Sequence, residues 1–393
     1  MTHPDGPTKG TSRGPGHGPG RRLLPWLVAA SLLAGCGGTP VGGSPASGGS
    51  PAPGGSTAVG GSPSPGDTSE SAGAPTSGAG SPCRPSVTAA TPAPPGSPEV
   101  LATANPTTFR IVGYVGDVDG SVEQIQFGKL THVNYAFLTP NSDGTIADLA
   151  NPSKLDEIVA CAHAAGVKVL ISVGGWGWDP QFESFVPDPM MRATFVRLLD
   201  EFVAAHSLDG VDIDWEYPDP GASAVHYLSL MTELRAALPR PALLTAAVVA
   251  QGRTGEGILA DVFPLVDFLN VMAYDGPGPS HSPYGYAEQS LAYWGGRGLP
   301  RDKTVLGVPF YSRPVEVPYR KLVATSAAAP NADELDYFGT TVNYNGIATI
   351  KAKTELALSR ASGIMAWSLA QDTGDSTSLL GAIDEMVRAA GRR

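Results

Sequence analysis

The chain is poor in cysteine: three in 393 residues, with none of Cys36, Cys83 and Cys161 in CxxC or CxxH spacing. A structural zinc site is therefore not expected. The seven histidines form no HxxxH or HExxH pair, so they read as surface or satisfied core residues, and no metal or cofactor is implied. Basic residues are also scarce, 26 Lys and Arg against 37 Asp and Glu, for a formal charge of −11. Residues 1–35 hold four bases (Lys9, Arg13, Arg21, Arg22) and one acid (Asp5), so the remainder carries −14. A chain this acidic, without a basic stripe, is a poor partner for nucleic acid; neutral or cationic partners fit better. No window reaches the roughly 18–20 apolar residues that span a bilayer. No GxGxxG follows the first strand-like run, which argues against a dinucleotide-binding sheet.

What is present is uneven. Gly (49) and Pro (37) exceed ordinary usage, and the excess sits mostly in the first hundred residues. Residues 1–22 are polar and end in Arg21-Arg22; twelve mostly apolar residues, Leu23–Ala34, follow. That is the size of a signal-peptide core. It runs into Leu33-Ala34-Gly35-Cys36, which resembles the lipobox of bacterial lipoproteins. The resemblance implies that residues 1–35 are removed, that Cys36 is acylated, and that the exported protein is lipid-anchored at the bacterial cell surface or membrane. An ordinary secretory signal with an incidental cysteine is the alternative, and Arg21-Arg22 alone is a weak hint of twin-arginine export. From Gly37 to Pro98, 55 of 62 residues are Gly, Pro, Ser, Thr or Ala. Such a segment buries too little apolar surface to offset its chain entropy, so residues 36–98 read as a disordered tether with a reach on the order of 45 Å. A disulfide from Cys83 to Cys161 stays open in an exported protein.

Residues 99–393 have the composition of one globular domain. Apolar, β-branched runs alternate with helix-like stretches. Strands are expected at Phe109–Val115, Thr131–Leu138, Val167–Val173, Gly210–Glu216, Leu243–Ala250, Val266–Ala273, Thr304–Phe310 and Gly363–Trp367. Helices are expected at Lys154–Ala165, Met190–His206, Ala222–Leu238, Glu288–Gly295, Ile347–Arg360 and Leu379–Ala389. Eight β-then-α units in this length fit an α/β fold of the (β/α)8 TIM-barrel type, whose active sites lie at strand C-terminal ends.

The stretch Leu208-Asp-Gly-Val-Asp-Ile-Asp-Trp-Glu-Tyr-Pro218 stands out within that pattern. Residues two apart on a strand share a face, so Asp212, Asp214 and Glu216 form a carboxylate column, with Asp209 placed just below it. Val211, Ile213 and Trp215 face the other, apolar side. Inward carboxylates lose hydration at several kcal/mol per ion, and like charges about 6–7 Å apart along a strand cannot all ionise cheaply. At least one pKa must rise, and a carboxyl kept protonated near neutrality is what a general acid needs. A solvent-facing acidic edge strand or half a calcium site is the plain alternative.

These residues resemble the chitinases of glycoside hydrolase family 18. Asp209-Gly-Val-Asp-Ile-Asp-Trp-Glu216 matches the family's DGxDxDWE at every position, Ser172-Val-Gly-Gly175 its SxGG, and Met272-Ala-Tyr-Asp275 its MxYD. Gly113-Tyr114 on the first strand and Ala366-Trp367 on the last add to it. Together the motifs cover about residues 109–370. The resemblance implies hydrolysis of β-1,4-linked N-acetylglucosamine by the substrate's own 2-acetamido group, an exception to the two-carboxylate scheme. It makes Glu216 the acid and then the base, Asp214 the partner of the acetamido N–H, Asp212 the group sharing a proton behind it, and Tyr274 the donor to the acetamido oxygen. Tyr114 and Ser172 would orient the buried aspartates. Trp367 would floor the cleaved sugar, with Trp176, Asp275 and Arg313 lining neighbouring subsites. Trp367, Trp176 and Trp178 have plain readings as core or loop aromatics.

Two departures from the family pattern stand out. Tyr311–Asn345 is too short for the sizeable α+β insertion that many members carry after the seventh strand, which implies an open groove and endo action. The loop after Asp275 lacks a tryptophan often found there, and Tyr284 or Tyr286 would have to substitute. Partners would be chitin or N-acetylglucosamine oligosaccharides, with the protein acting as a monomer. The alternatives are an endo-β-N-acetylglucosaminidase acting on N-glycans, and a non-catalytic chitin-binding lectin on the same barrel.

Overall fold

A computed structural model of the chain describes residues 109–238 and 240–393. Residues 1–35 and 36–98, expected from the sequence to be an export signal and a tether, lie outside the described residues together with Cys36 and Cys83. Cys161 is disulfide-bonded.

Seven strands follow one another around a closed parallel barrel: β1 (Arg110–Gly116), β2 (His132–Leu138), β3 (Lys168–Gly175), β4 (Gly210–Trp215), β5 (Leu243–Val249), β6 (Phe268–Met272) and β7 (Thr304–Pro309). A separate antiparallel hairpin, β8 (Glu334–Tyr337) with β9 (Thr340–Asn343), comes next in the chain, and β10 (Gly363–Trp367) closes the barrel between β7 and β1. Each barrel strand lies within about two residues of its expected position, because short β-branched runs bounded by polar residues suit a pleat buried on both faces.

The helices are α1 (Pro152–Ala164), α2 (Asp179–Phe185), α3 (Pro189–Ala205), α4 (Ala222–Ala237), α5 (Tyr284–Gly296), α6 (Tyr319–Thr325), α7 (Ile347–Arg360) and α8 (Leu379–Ala389). Their starts are written locally. Asn151 caps α1 by accepting from Lys154 N, and Asp188 caps α3 by accepting from Met190 and Met191 N, each with a proline in the first turn.

The eight β-then-α units do not each carry an α-helix. The β1–β2 and β5–β6 connections carry only 3₁₀ turns, Val122–Gln124 with Phe127–Lys129, and Arg253–Gly257 with Ala260–Val262. Both segments are short and glycine-containing, and each glycine costs about 1 kcal/mol in a helix. The β7–β10 connection holds α6 and the β8–β9 hairpin in addition to α7, without a larger α+β insertion.

Side-chain alternation sorts the core into two layers. Val211, Ile213 and Trp215 point outward into the shell between strands and helices, with Trp215 stacked on Phe182 at 4.9 Å and its Nε1 donating to Asp179 at 2.7 Å. Burying a ring of this kind stabilises by about 2–3 kcal/mol. A smaller cluster that includes Val112, Tyr114, Ala136, Met272 and Met365 fills the barrel itself. Asp209 does not extend the acidic column. Its odd number puts it on the outer face, where it accepts from Lys168 Nζ (2.6 Å) and Val169 N (2.8 Å) and pairs with His163 (2.8 Å). Burial alone would raise its pKa, but those partners hold it below the usual value. Asp209 is thus a tie between β3, β4 and α1.

Candidate active site

The even-numbered residues of β4 enter the barrel. Ser172, Asp212 and Thr245 are direct register partners across β3, β4 and β5, so they share one inward layer. Four donors from four strands converge on the fully buried Asp212. Tyr114 (2.6 Å) and Ser172 (2.9 Å) donate to Oδ2, and Thr245 (2.5 Å) and Asn270 (3.3 Å) to Oδ1. Asn270 Nδ2 also donates to the Tyr114 oxygen at 3.2 Å, which leaves the phenolic proton for Asp212. Burial pushes the Asp212 pKa up, while Thr245, Tyr114, Ser172 and Asn270 pull it back.

Asp214, one layer higher, has no such set. Its Oδ1 is buried with no hydrogen-bond partner. Burial, then Glu216 and Asp212, drive its pKa well above the ordinary carboxylate range. Four donors below and an unpartnered oxygen above favour the negative charge on Asp212 and the proton on Asp214. Glu216, just past the end of β4, is raised by burial and by Asp275, with Tyr217 opposing. Glu216, at the top of the column, is thus shifted in the direction that suits a general acid.

Tyr274, past the end of β6, is held protonated by burial, with Tyr311, Asp214 and Glu216 adding to the effect. Among the described residues its hydroxyl meets only the Met365 sulfur, at 4.0 Å, so it is a donor with its proton to spend. Trp367, at the end of β10, is partly exposed; it stacks on Phe137 at 5.5 Å and meets Tyr114 edge-on at 5.6 Å. Phe137 reaches this platform through a register shift in β2 between Ala136 and Leu138, since simple alternation would have turned it outward.

The SxGG glycines have steric reasons. Gly174 (φ 111°) sits so close to β4 that a β-carbon would overlap the Asp214 carbonyl oxygen, and at Gly175 (φ 90°) it would lie 2.7 Å from the Phe137 ring. Gly174 lets β3 close against the acidic strand, and Gly175 makes room for the platform.

Asp275 is a hub. It accepts from Arg313 Nε (2.8 Å) and Nη2 (3.0 Å) and from Tyr311 (2.8 Å), and His281 Nδ1 lies 3.2 Å away. Burial works to raise its pKa, but His281, Arg313 and Tyr311 outweigh that and hold it well below the usual range. Its loop is pinned from below by the fully buried Lys353, which donates to Ser282 O (2.6 Å), Ser282 Oγ (2.7 Å) and Asn345 Oδ1 (2.6 Å). Burial draws the Lys353 pKa down to about 7.

The fold thus brings Tyr114, Ser172, Asp212, Asp214, Glu216, Tyr274 and Trp367 to one end of the barrel, with Asp275 and Arg313 paired beside them. Trp176 stands out in solvent, 78% exposed. Of the two candidate substitutes for the missing tryptophan, Tyr284 is 40% exposed, and Tyr286 packs over Gly276. Sequence reasoning missed Thr245, Asn270, Phe137, Tyr217, Tyr311 and His281. The first two had a signal, each being a lone polar residue inside an apolar strand run.

The sequence model for glycosyl hydrolases family 18 matches residues 110–372. A chitinase-like effector of Moniliophthora roreri is 29% identical over 226 residues, 50% of this chain and 56% of that protein. Chitinase C of Streptomyces lividans is 29% identical over 267 residues, 53% of this chain and 42% of that protein. This chain thus spans about half the length of these curated relatives. A solved family 18 chitinase from Flavobacterium johnsoniae superposes with a TM-score of 0.64 at 29% identity, covering 72% of this chain and 96% of that one.

Proposed function

The chain belongs to the glycosyl hydrolases of family 18, and we propose that within it this protein is an endo-acting chitinase, cutting β-1,4-linked N-acetylglucosamine polymers with retention of configuration. The observation that carries the reading is the placement of the carboxyl groups. A retaining glycosidase of the ordinary kind sets a nucleophilic carboxylate about 5–5.5 Å across the scissile bond from its acid. Here Asp212, Asp214 and Glu216 rise from one strand, and the neighbouring Asp275 is engaged by Arg313 and Tyr311. On this reading the nucleophile is the substrate's own acetamido group, as the family resemblance implies.

Glu216 gives its proton to the glycosidic oxygen as the C1–O bond breaks, and the acetamido carbonyl oxygen closes on C1. As positive charge grows on the acetamido nitrogen, Asp214 passes its proton inward to Asp212 and becomes the anion facing that N–H. The four donors hold the Asp212 carboxyl in place and favour its anion in the resting site. The exchange is therefore driven by the positive charge growing on the acetamido nitrogen, which Asp214 then faces as the anion. Tyr274 donates to the acetamido oxygen and aims it. Glu216, now ionised, takes a proton from water, whose oxygen attacks C1 from the side the leaving group left. The bond between C1 and the acetamido oxygen breaks as it does so, and the proton on Asp212 returns to Asp214. Trp367 and Phe137 supply an apolar floor for the sugar's C–H face.

The endo habit rests on the β7–β10 connection, which supplies only short elements where a tall cleft wall would need many more residues. Export and a lipid anchor through Cys36 belong to the same proposal. Glu216→Gln tests the chemistry. It should lower turnover at least about a hundredfold, the low end of what a general acid contributes, with oligosaccharide binding retained. Substantial hydrolysis by that variant would remove Glu216 from its role.

A further inference from the structure

The β8–β9 hairpin carries a residue that the mechanism above does not use. Tyr337 pairs with Thr340, which leaves Phe338 and Gly339 as a two-residue loop with φ of 51° and 85°. Positive φ at both central positions is the type I′ pattern, whose first position favours Asn, Asp or Gly. A phenylalanine there is strained, because its β-carbon crowds the backbone in the left-handed region. Its ring gains no burial in return, being 82% exposed. Exposed apolar residues taken singly, such as Val118 or Met190, need no explanation. Phe338 is unusual in being strained as well as exposed. Among the described residues the other non-glycine positive-φ positions are Ser207 and Asp275, and Asp275 belongs to the site.

The hairpin is rooted in that site. Its base is bridged to Arg313 by backbone hydrogen bonds, Arg313 N to Asn343 O at 2.9 Å and Asn343 N to Arg313 O at 2.8 Å, and the Arg313 guanidinium holds Asp275. Leu335, Tyr337 and Val342 pack against the main core, so the hairpin stands as a fixed post. Its tip lies up to about 17 Å from Asn343, five residues at about 3.4 Å each. There the Phe338 ring meets the half-buried Tyr337 ring edge-on at 4.8 Å, forming a small aromatic step.

We propose that Phe338 is an outer contact for the polysaccharide, taking the apolar face of a pyranose ring of an N-acetylglucosamine polymer that runs past the cleft. This rests on the chitinase reading and adds to it a residue that separates polymer from short oligosaccharide. On this proposal a short chain held at Glu216 and Asp275 ends before the tip, and a polymer or an insoluble surface extends to it.

The test compares the full chain with Phe338→Asn and Phe338→Trp in three measurements: hydrolysis of the N-acetylglucosamine trimer, binding to insoluble chitin, and thermal unfolding. Asparagine suits the turn, so Phe338→Asn should melt no lower than the natural chain. It should leave trimer hydrolysis unchanged and weaken binding to insoluble chitin about twofold to tenfold, the range an aromatic contact supplies, with Phe338→Trp restoring it. Unchanged chitin binding by Phe338→Asn overturns the proposal. Parallel loss of trimer hydrolysis also overturns it, by making the hairpin a support of the cleft. If the natural chain neither cuts trimer nor binds chitin, the chitinase reading itself fails and takes this inference with it.

Discussion

The Tyr114 hydroxyl on β1 donates to Oδ2 of Asp212 on β4 at 2.6 Å, across the barrel interior. It is one of four donors on a carboxyl with no access to solvent, and the proton exchange between Asp214 and Asp212 depends on that set. Tyr114→Phe should cost about 1–3 kcal/mol in unfolding free energy, the penalty for leaving a buried acceptor short of a donor. It should also lower kcat about tenfold, equivalent to about 1.4 kcal/mol of barrier. Thr245→Val should behave alike. Denaturant unfolding and initial rates on the hexamer check both; a variant of natural stability and rate would mean the cradle is not coupled to the chemistry.

Glu216 must hold its proton to act as acid, so activity is lost as pH rises through its pKa. Burial raises that pKa, and the charge on Asp275 raises it further. Asp275→Asn removes one raising influence and leaves Arg313 unneutralised nearby, which lowers it again. The basic limb of kcat/KM, which reports the free enzyme, should therefore move to lower pH. Asn tolerates the positive φ of this position, so the backbone should hold. A limb that stays put or moves upward contradicts the electrostatic account.

Glycine positions separate strain from crowding. Gly175 and Gly177 both have positive φ, but a β-carbon at Gly175 meets the Phe137 ring and one at Gly177 meets nothing within 4 Å. Gly177→Ala should cost only backbone strain, about 1–2 kcal/mol, with activity kept. Gly175→Ala should add an overpacking cost of about 1–3 kcal/mol and raise KM by disturbing the Trp367 platform. Equal KM values for the two variants would sever Phe137 from the substrate floor.

Cys36 tests localisation. In a bacterial host, Cys36→Ser should move the protein from the membrane fraction to the soluble extracytoplasmic fraction with its specific activity unchanged. An unaltered distribution would remove the lipid anchor from the proposal.

Much of this was legible in the chain. Barrel strands announced themselves as short β-branched runs, and the alternation in residues 210–216 placed two aspartates inward and Trp215 outward. Where the sequence misled, local geometry had the deciding voice. Asp209 has the wrong parity for the column. Phe137 is turned inward by a register shift that no residue type advertises. The β8–β9 hairpin was invisible because its loop is Phe-Gly rather than Asn-Gly. Thr245 and Asn270 became meaningful only once strand register put them beside Asp212.

The central claim is that the substrate supplies the nucleophile and Glu216 the proton. The most direct measurement incubates the full chain with N-acetylglucosamine hexamer and reads product sizes by mass spectrometry and product anomers at early times. The account predicts internal cleavage, with the new reducing ends appearing first as the β-anomer. First appearance of the α-anomer would contradict retention and with it the substrate-assisted mechanism. Intact hexamer beside cleaved N-glycan would keep the chemistry and overturn the chitin assignment.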